Sequence, residues 1–99
     1  MIDGYLLNVR VFNEVNDDKR QALKPLEEAA EIFGAWQARH DMRPAPRDAC
    51  GASRRDLIDE CVDTVQAAAN MLAAVGATQG EVDAAIKRMD ERNGDRGRL

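Results

Sequence analysis

Residues 53–75 read SRRDLIDECVDTVQAAANMLAAV. Leu57, Ile58, Cys61, Val62, Val65, Leu72 and Val75 recur at three- and four-residue spacing, the period of an amphipathic helix. Ser53 followed by Asp56 resembles a capping box, and Gly76 is a natural residue for the left-handed position after the last turn. The acids of the stretch, Asp56, Asp59, Glu60 and Asp63, share the face opposite Leu57, Cys61 and Val65 at about 100° per residue.

The neighbouring stretches carry the same period. Residues 3–15 place Tyr5, Leu6, Val9 and Phe12 at helical spacing, so a first helix is expected there. Asn16-Asp17-Asp18 reads as a break and a new N-cap. A second helix is expected over about 18–40, with Leu26, Ala29, Ile32, Phe33 and Trp36 as its apolar stripe; Pro25 either kinks it or marks a true start near Lys24 with Pro25 in the first turn. Residues 41–52, DMRPAPRDACGA, read as a loop. Thr78 with Glu81 forms another capping box and opens a fourth helix over about 79–92, with Val82, Ala85, Ile86 and Met89 apolar and Asn93-Gly94 ending it. Four helices, no strand pattern and no internal repeat give an all-α domain, residues 1–99, in which a four-helix bundle is completed by homo-oligomerisation.

Composition narrows the function classes. The 99 residues carry 14 Lys+Arg against 18 Asp+Glu, a formal charge of −4. That balance argues against a duplex-nucleic-acid binder or an anionic-membrane binder. No stretch is long and apolar enough for a transmembrane span, and the start lacks a signal-peptide pattern, so a cytoplasmic protein is expected. Cys50 and Cys61 are read as free thiols, and with His40 they lack zinc-ligand spacing.

The placement of the acids is more informative than their number. On the second helix Glu27, Glu28 and Glu31 share one flank, with Lys24 a turn earlier. Glu28/Glu31 and Glu60/Asp63 are i,i+3 pairs, each pointing two carboxylates the same way. Neither cluster has interleaved Lys or Arg on its face, and both faces run on into small residues. Two carboxylate pairs from facing helices make an all-oxygen site suited to Mg²⁺ or Mn²⁺, and such sites work with substrate phosphates. A di-iron site would need a Glu-x-x-His on each of two helices, which a single histidine cannot supply. Seven of the acids lie on the two faces, and the rest of the chain is then mildly basic, at +3.

Glu27-Glu28-Ala-Ala-Glu31 is EExxE, Glu60-Cys-Val-Asp63 is ExxD, and 28 residues separate them. With KPLEEAAEIF and DLIDECVDTVQAAANMLAAVG around them, these motifs resemble those of the MazG-type all-α nucleoside triphosphate pyrophosphohydrolases. The resemblance covers about 20–97. It implies Mg²⁺-dependent hydrolysis of a (deoxy)nucleoside triphosphate between the α and β phosphates, giving the monophosphate and pyrophosphate. It implies Glu28, Glu31, Glu60 and Asp63 as metal ligands, with Glu27 orienting or deprotonating the attacking water. Lys24 is the first candidate for substrate phosphate, followed by Lys87, Arg88, Asn93 and Arg96 by analogy with the family's C-terminal end. Asn70, two turns after Asp63, is a candidate for base or sugar. Trp36, Phe12 and Tyr5 are read as core or subunit contacts, with base stacking the lesser reading for Trp36. Arg43 and Arg47 give the 41–52 loop a second reading as a lid over the nucleotide. The expected assembly is a homodimer or homotetramer. The alternatives are a phosphoribosyl-ATP pyrophosphohydrolase-like enzyme of the same fold and a non-catalytic helical dimerisation protein.

Overall fold

A computed structural model describes residues 2–41 and 47–99, with side chains for 2–40 and 53–99. Among the described residues there are three α-helices and no strands: α1 (Lys19–Asp41), α2 (Arg47–Ala74) and α3 (Gln79–Asp95). The helix expected over residues 3–15 is not formed. That segment is non-helical, and it is tied to α2 by side-chain amides described below. Gly4, Asn8, Asn13 and the β-branched Val9, Val11 and Val15 weaken its helical tendency. The tertiary hydrogen bonds then decide.

Asp18 caps α1, its Oδ1 accepting the Gln21 N–H at 2.8 Å. Pro25 lies within α1 and removes the N–H that would bond the Gln21 carbonyl. The expected start of α2 at Ser53 is corrected. The helix begins at Arg47, so residues 47–52 of the expected loop are helical and Ser53 is an interior residue. Residues 42–46, including Arg43, and the side chains of Arg47 and Cys50 lie outside the described residues, and the lid reading with them. Cys61 is a free, exposed thiol.

The end of α2 follows the expectation. Gly76 has φ 73°, with Gly76 N–H donating to Ala73 O at 2.9 Å and Ala77 N–H to Leu72 O at 3.0 Å. This is a Schellman motif. The capping box of α3 is present in both directions. Glu81 N–H donates to Thr78 Oγ1 at 3.1 Å, and Thr78 N–H to Glu81 Oε1 at 3.0 Å. Asn93-Gly94 does not end α3. The stop is a second left-handed glycine, Gly97 at φ 72°, with Arg98 N–H on Asn93 O at 2.9 Å.

α1 and α2 pack on each other as a hairpin. The start of α1 shares a cleft with the C-terminal half of α2, so the two run antiparallel. On α1 the side chains withdrawn from solvent are Gln21, Pro25, Glu28, Ile32 and Ala35; on α2 they include Ser53, Leu57, Glu60, Thr64, Ala67, Met71 and Ala74. Both sets alternate four and three residues, the seam of a coiled coil. Glu28 and Glu60 sit within it.

This seam shares only Ile32 with the apolar stripe expected on α1. Leu26, Phe33 and Trp36, and Ile58, Val62 and Leu72 on α2, are left exposed. Around their helices they lie from about 60° (Trp36) to about 170° (Val62) from the centre of the seam. The hairpin thus closes on a mixed seam, in which Ile32, Leu57 and Met71 sit among polar and small residues, and leaves these other apolar side chains largely outward. Phe33 stacks on Trp36 with ring centroids 6.1 Å apart, and Trp36 meets His40 at 4.2 Å. α3 buries no residue, and its Val82, Ala85, Ile86 and Met89 line an open groove with Leu72 and Ala77.

The single chain has 8370 Å² of accessible surface. A compact monomer of 10.9 kDa would expose roughly 5600 Å². The radius of gyration is 16.4 Å, against about 13 Å for a compact chain of this length. The excess is roughly 2800 Å² per chain, and the exposed apolar side chains of α1 and α2 are part of it.

Candidate metal and phosphate site

The i,i+3 spacing of Glu60 and Asp63 sends both carboxylates off one face of α2. The seam brings Glu28 of α1 against them. One oxygen from each of Glu28, Glu60 and Asp63 lies within 4.8 Å of the others. Two acids three residues apart on α2 and one on α1, 32 residues before Glu60, therefore converge on one point. Glu60 Oε2 is buried and has no hydrogen-bond partner. A buried carboxylate oxygen without a donor is costly, and a cation is one way to satisfy it.

Glu28 bears the electrostatic load. Its pKa is raised, first by withdrawal from water, then by the charge of Glu31 and a hydrogen bond shared with it, and then by the charge of Asp63; Lys24 opposes the rise. Glu31 thus stands beside Glu28 but outside the converging triad. Glu27 is turned to Lys24 instead, their Oε2 and Nζ 3.4 Å apart on the exposed flank.

The triad borders a cleft of about 370 Å³ between the start of α1, the C-terminal half of α2 and the N-terminal segment. Lys24 and Arg20 bring positive charge to this cleft, alongside Glu28 and Asp63. Gln66, Ala67 and Asn70 continue the α2 wall, and Phe12 and Asn16 belong to the N-terminal wall. Asn70 is 3% exposed. Its Oδ1 accepts the Phe12 N–H at 3.0 Å and Gln66 Nε2 at 3.1 Å. Gln66 Nε2 also donates to the Arg10 carbonyl.

The structure therefore places Lys24, Glu28, Asp63 and Asn70 in one cleft, with Glu60 completing the acid triad. It does not bring Lys87, Asn93 or Arg96 there. Lys87 is exposed on α3, Arg96 is the C-cap of that helix, and Asn93 Oδ1 accepts from Arg98 Nη1 at 3.4 Å. In the single chain α3 packs on neither α1 nor α2.

Arg20 and Gln66 were not singled out from the sequence. Arg20 lies one turn before Lys24 on the same side of α1, and Gln66 lies between Asp63 and Asn70 at i+3 and i+7. That spacing was the available signal. Nothing local marks Phe12, because its position depends on α2.

No family model matches the chain, and no curated protein or solved structure matches it.

Proposed function

We propose that this chain hydrolyses (deoxy)nucleoside triphosphates between the α and β phosphates, in the manner of the MazG-type enzymes its motifs resemble, as a homodimer or homotetramer. The observation that carries the reading is the convergence of Glu28 with Glu60 and Asp63. An all-oxygen donor set with one orphaned buried oxygen fits a hard divalent cation, and Mg²⁺ is the natural choice, with Mn²⁺ able to substitute. Glu28, Glu60 and Asp63 would hold it, with Glu31 next to Glu28 as the fourth ligand the resemblance implies. Such an ion supplies charge neutralisation at the phosphates and lowers the pKa of a bound water.

The chain's own groups have separable tasks. Lys24 and Arg20 bind phosphate oxygens at the mouth of the cleft. Glu28 and Asp63 would otherwise repel a triphosphate, so the two cations and the bound ion together make its approach favourable. Glu27, held by Lys24 in the free protein, is released when Lys24 turns to phosphate and is then available to orient the attacking water. The outward apolar stripes support the oligomer. They lie on a chain that exposes roughly 2800 Å² more than a compact monomer of its mass. A second copy also offers the route by which Lys87, Asn93 and Arg96 of α3 reach a cleft.

The test is a panel of dNTPs and NTPs with Mg²⁺ or Mn²⁺, followed for pyrophosphate and monophosphate. Turnover of at least one triphosphate to these two products is expected. No turnover with either metal rejects the enzyme and favours a non-catalytic dimerisation protein.

A further inference from the structure

We propose that the N-terminal segment about Phe12 is a strap that forms the nucleobase wall of the cleft, with Phe12 the stacking surface and Gln66–Asn70 the latch that holds it. The ligand's identity rests on the triphosphate reading above; the strap and its latch rest on geometry. The strap is not helical, yet its backbone is tied to α2 at two points. Asn70 Oδ1 takes the Phe12 N–H at 3.0 Å, and Gln66 Nε2 reaches the Arg10 carbonyl. The 3.1 Å bond from Gln66 Nε2 to Asn70 Oδ1 couples the two amides. Asn70 is among the few buried side chains of the described residues, a burial that fixes its amide before any ligand arrives.

The latch holds Phe12 where it lines the cleft while leaving the side chain 62% exposed. An aromatic side chain pinned by its own backbone but open on the cleft side offers a flat apolar surface to a planar ligand. Its surroundings suit a heterocycle edge, since the neutral amide of Asn16 can both donate and accept and the carbonyl of the Gln66 amide can accept. Asn70 lies seven residues after Asp63 on α2, about 10 Å along the helix axis. Ala67 lies between them on the same wall. Phosphates thus lie at the acid and cation end, and the base lies against the strap. Asn70 acts as a positioning residue, its Oδ1 committed to the strap.

The experiment compares two probes that engage opposite ends of the cleft. Calorimetry measures binding of the four 2′-deoxynucleoside 5′-monophosphates, and separately of pyrophosphate with Mg²⁺, to wild type, Phe12→Ala, Phe12→Trp and Asn70→Ala. Circular dichroism verifies that helix content is kept. The expected result is a loss of about tenfold in monophosphate affinity for Phe12→Ala and for Asn70→Ala, at the low end of what one base–aromatic stack contributes. Phe12→Trp should retain the affinity, and pyrophosphate binding should stay within about twofold. Unchanged monophosphate binding in Phe12→Ala, or a parallel loss of both probes, overturns the strap. So does a wild type that binds no monophosphate. Phe12-dependent monophosphate binding in a protein that turns over no triphosphate would instead reject the hydrolytic reading and leave the strap standing.

Discussion

Phe33→Glu tests the assembly. Phe33 is 61% exposed in the single chain, on the outward stripe of α1. A phenylalanine side chain offers about 200 Å², so roughly 120 Å² is open to a second copy in the proposed oligomer. At about 25 cal/mol per Å² that is about 3 kcal/mol per chain. A twofold dimer buries the position twice, so the substitution removes about 6 kcal/mol from association, roughly four orders of magnitude in the dissociation constant. Burying the new carboxylate would add to the loss. Within the isolated hairpin the change removes the stack on Trp36, worth about 1 kcal/mol, and leaves the α1–α2 seam untouched. Sedimentation equilibrium from nanomolar to hundred-micromolar concentration reads the difference. Wild type is expected to be oligomeric at micromolar concentration and Phe33→Glu monomeric, with reduced unfolding cooperativity. A folded wild-type monomer across that range would refute the reasoning, as would equal association of the two proteins.

Other expectations concern the site and the helix ends. Glu28→Gln should keep or raise the melting temperature without divalent metal at neutral pH, since it removes a carboxylate crowded by Glu31 and Asp63, and should abolish Mg²⁺-dependent turnover; a clear fall in apo stability would contradict it. Because the folded-state pKa of Glu28 lies above its ordinary 4.5, its protonation favours the fold. That contribution is full below the unfolded value and is lost as pH rises through the raised one, so Mg²⁺ affinity, which needs the carboxylate, should decline on acidification before ordinary carboxylates titrate, as calorimetry across pH would show. Thr78→Ala removes a cap from a helix with no buried residue and should destabilise α3 by about 1 kcal/mol, seen as faster amide exchange in its first turn. Gly76→Ala forces a Cβ into a left-handed turn and should cost about 1 kcal/mol in thermal unfolding.

The sequence made some of this arrangement legible. The body of each described helix follows from a 3.6-residue period, and the α2–α3 turn from Gly76 and the Thr78/Glu81 box. Those signals are local, so they survive folding. Residues 3–15 were misread because Tyr5, Leu6, Val9 and Phe12 fit a helix by spacing alone. The outcome there depends on Gln66 and Asn70, more than fifty residues away. The start of α2 was misplaced because Ser53 looks like a cap, whereas the helix already runs through it from Arg47. At the site, EExxE and ExxD supply five acids, and their spacing does not say how the five divide. Glu28, Glu60 and Asp63 meet, Glu31 stands beside them, and Glu27 pairs with Lys24. Local spacing says which acids share a face, but the depth of each in the seam is set by the α1–α2 register. The apolar stripes were legible as well, but their destination was not, since a stripe marks a buried face without saying what covers it.

The most direct measurement of the central claim is ³¹P NMR of a dNTP incubated with Mg²⁺ and either wild type or Glu60→Gln. The account predicts nucleoside monophosphate and pyrophosphate from wild type. It predicts no metal-dependent turnover from Glu60→Gln at unchanged helix content. Near-wild-type activity in that variant, or release of orthophosphate and a diphosphate, would contradict it.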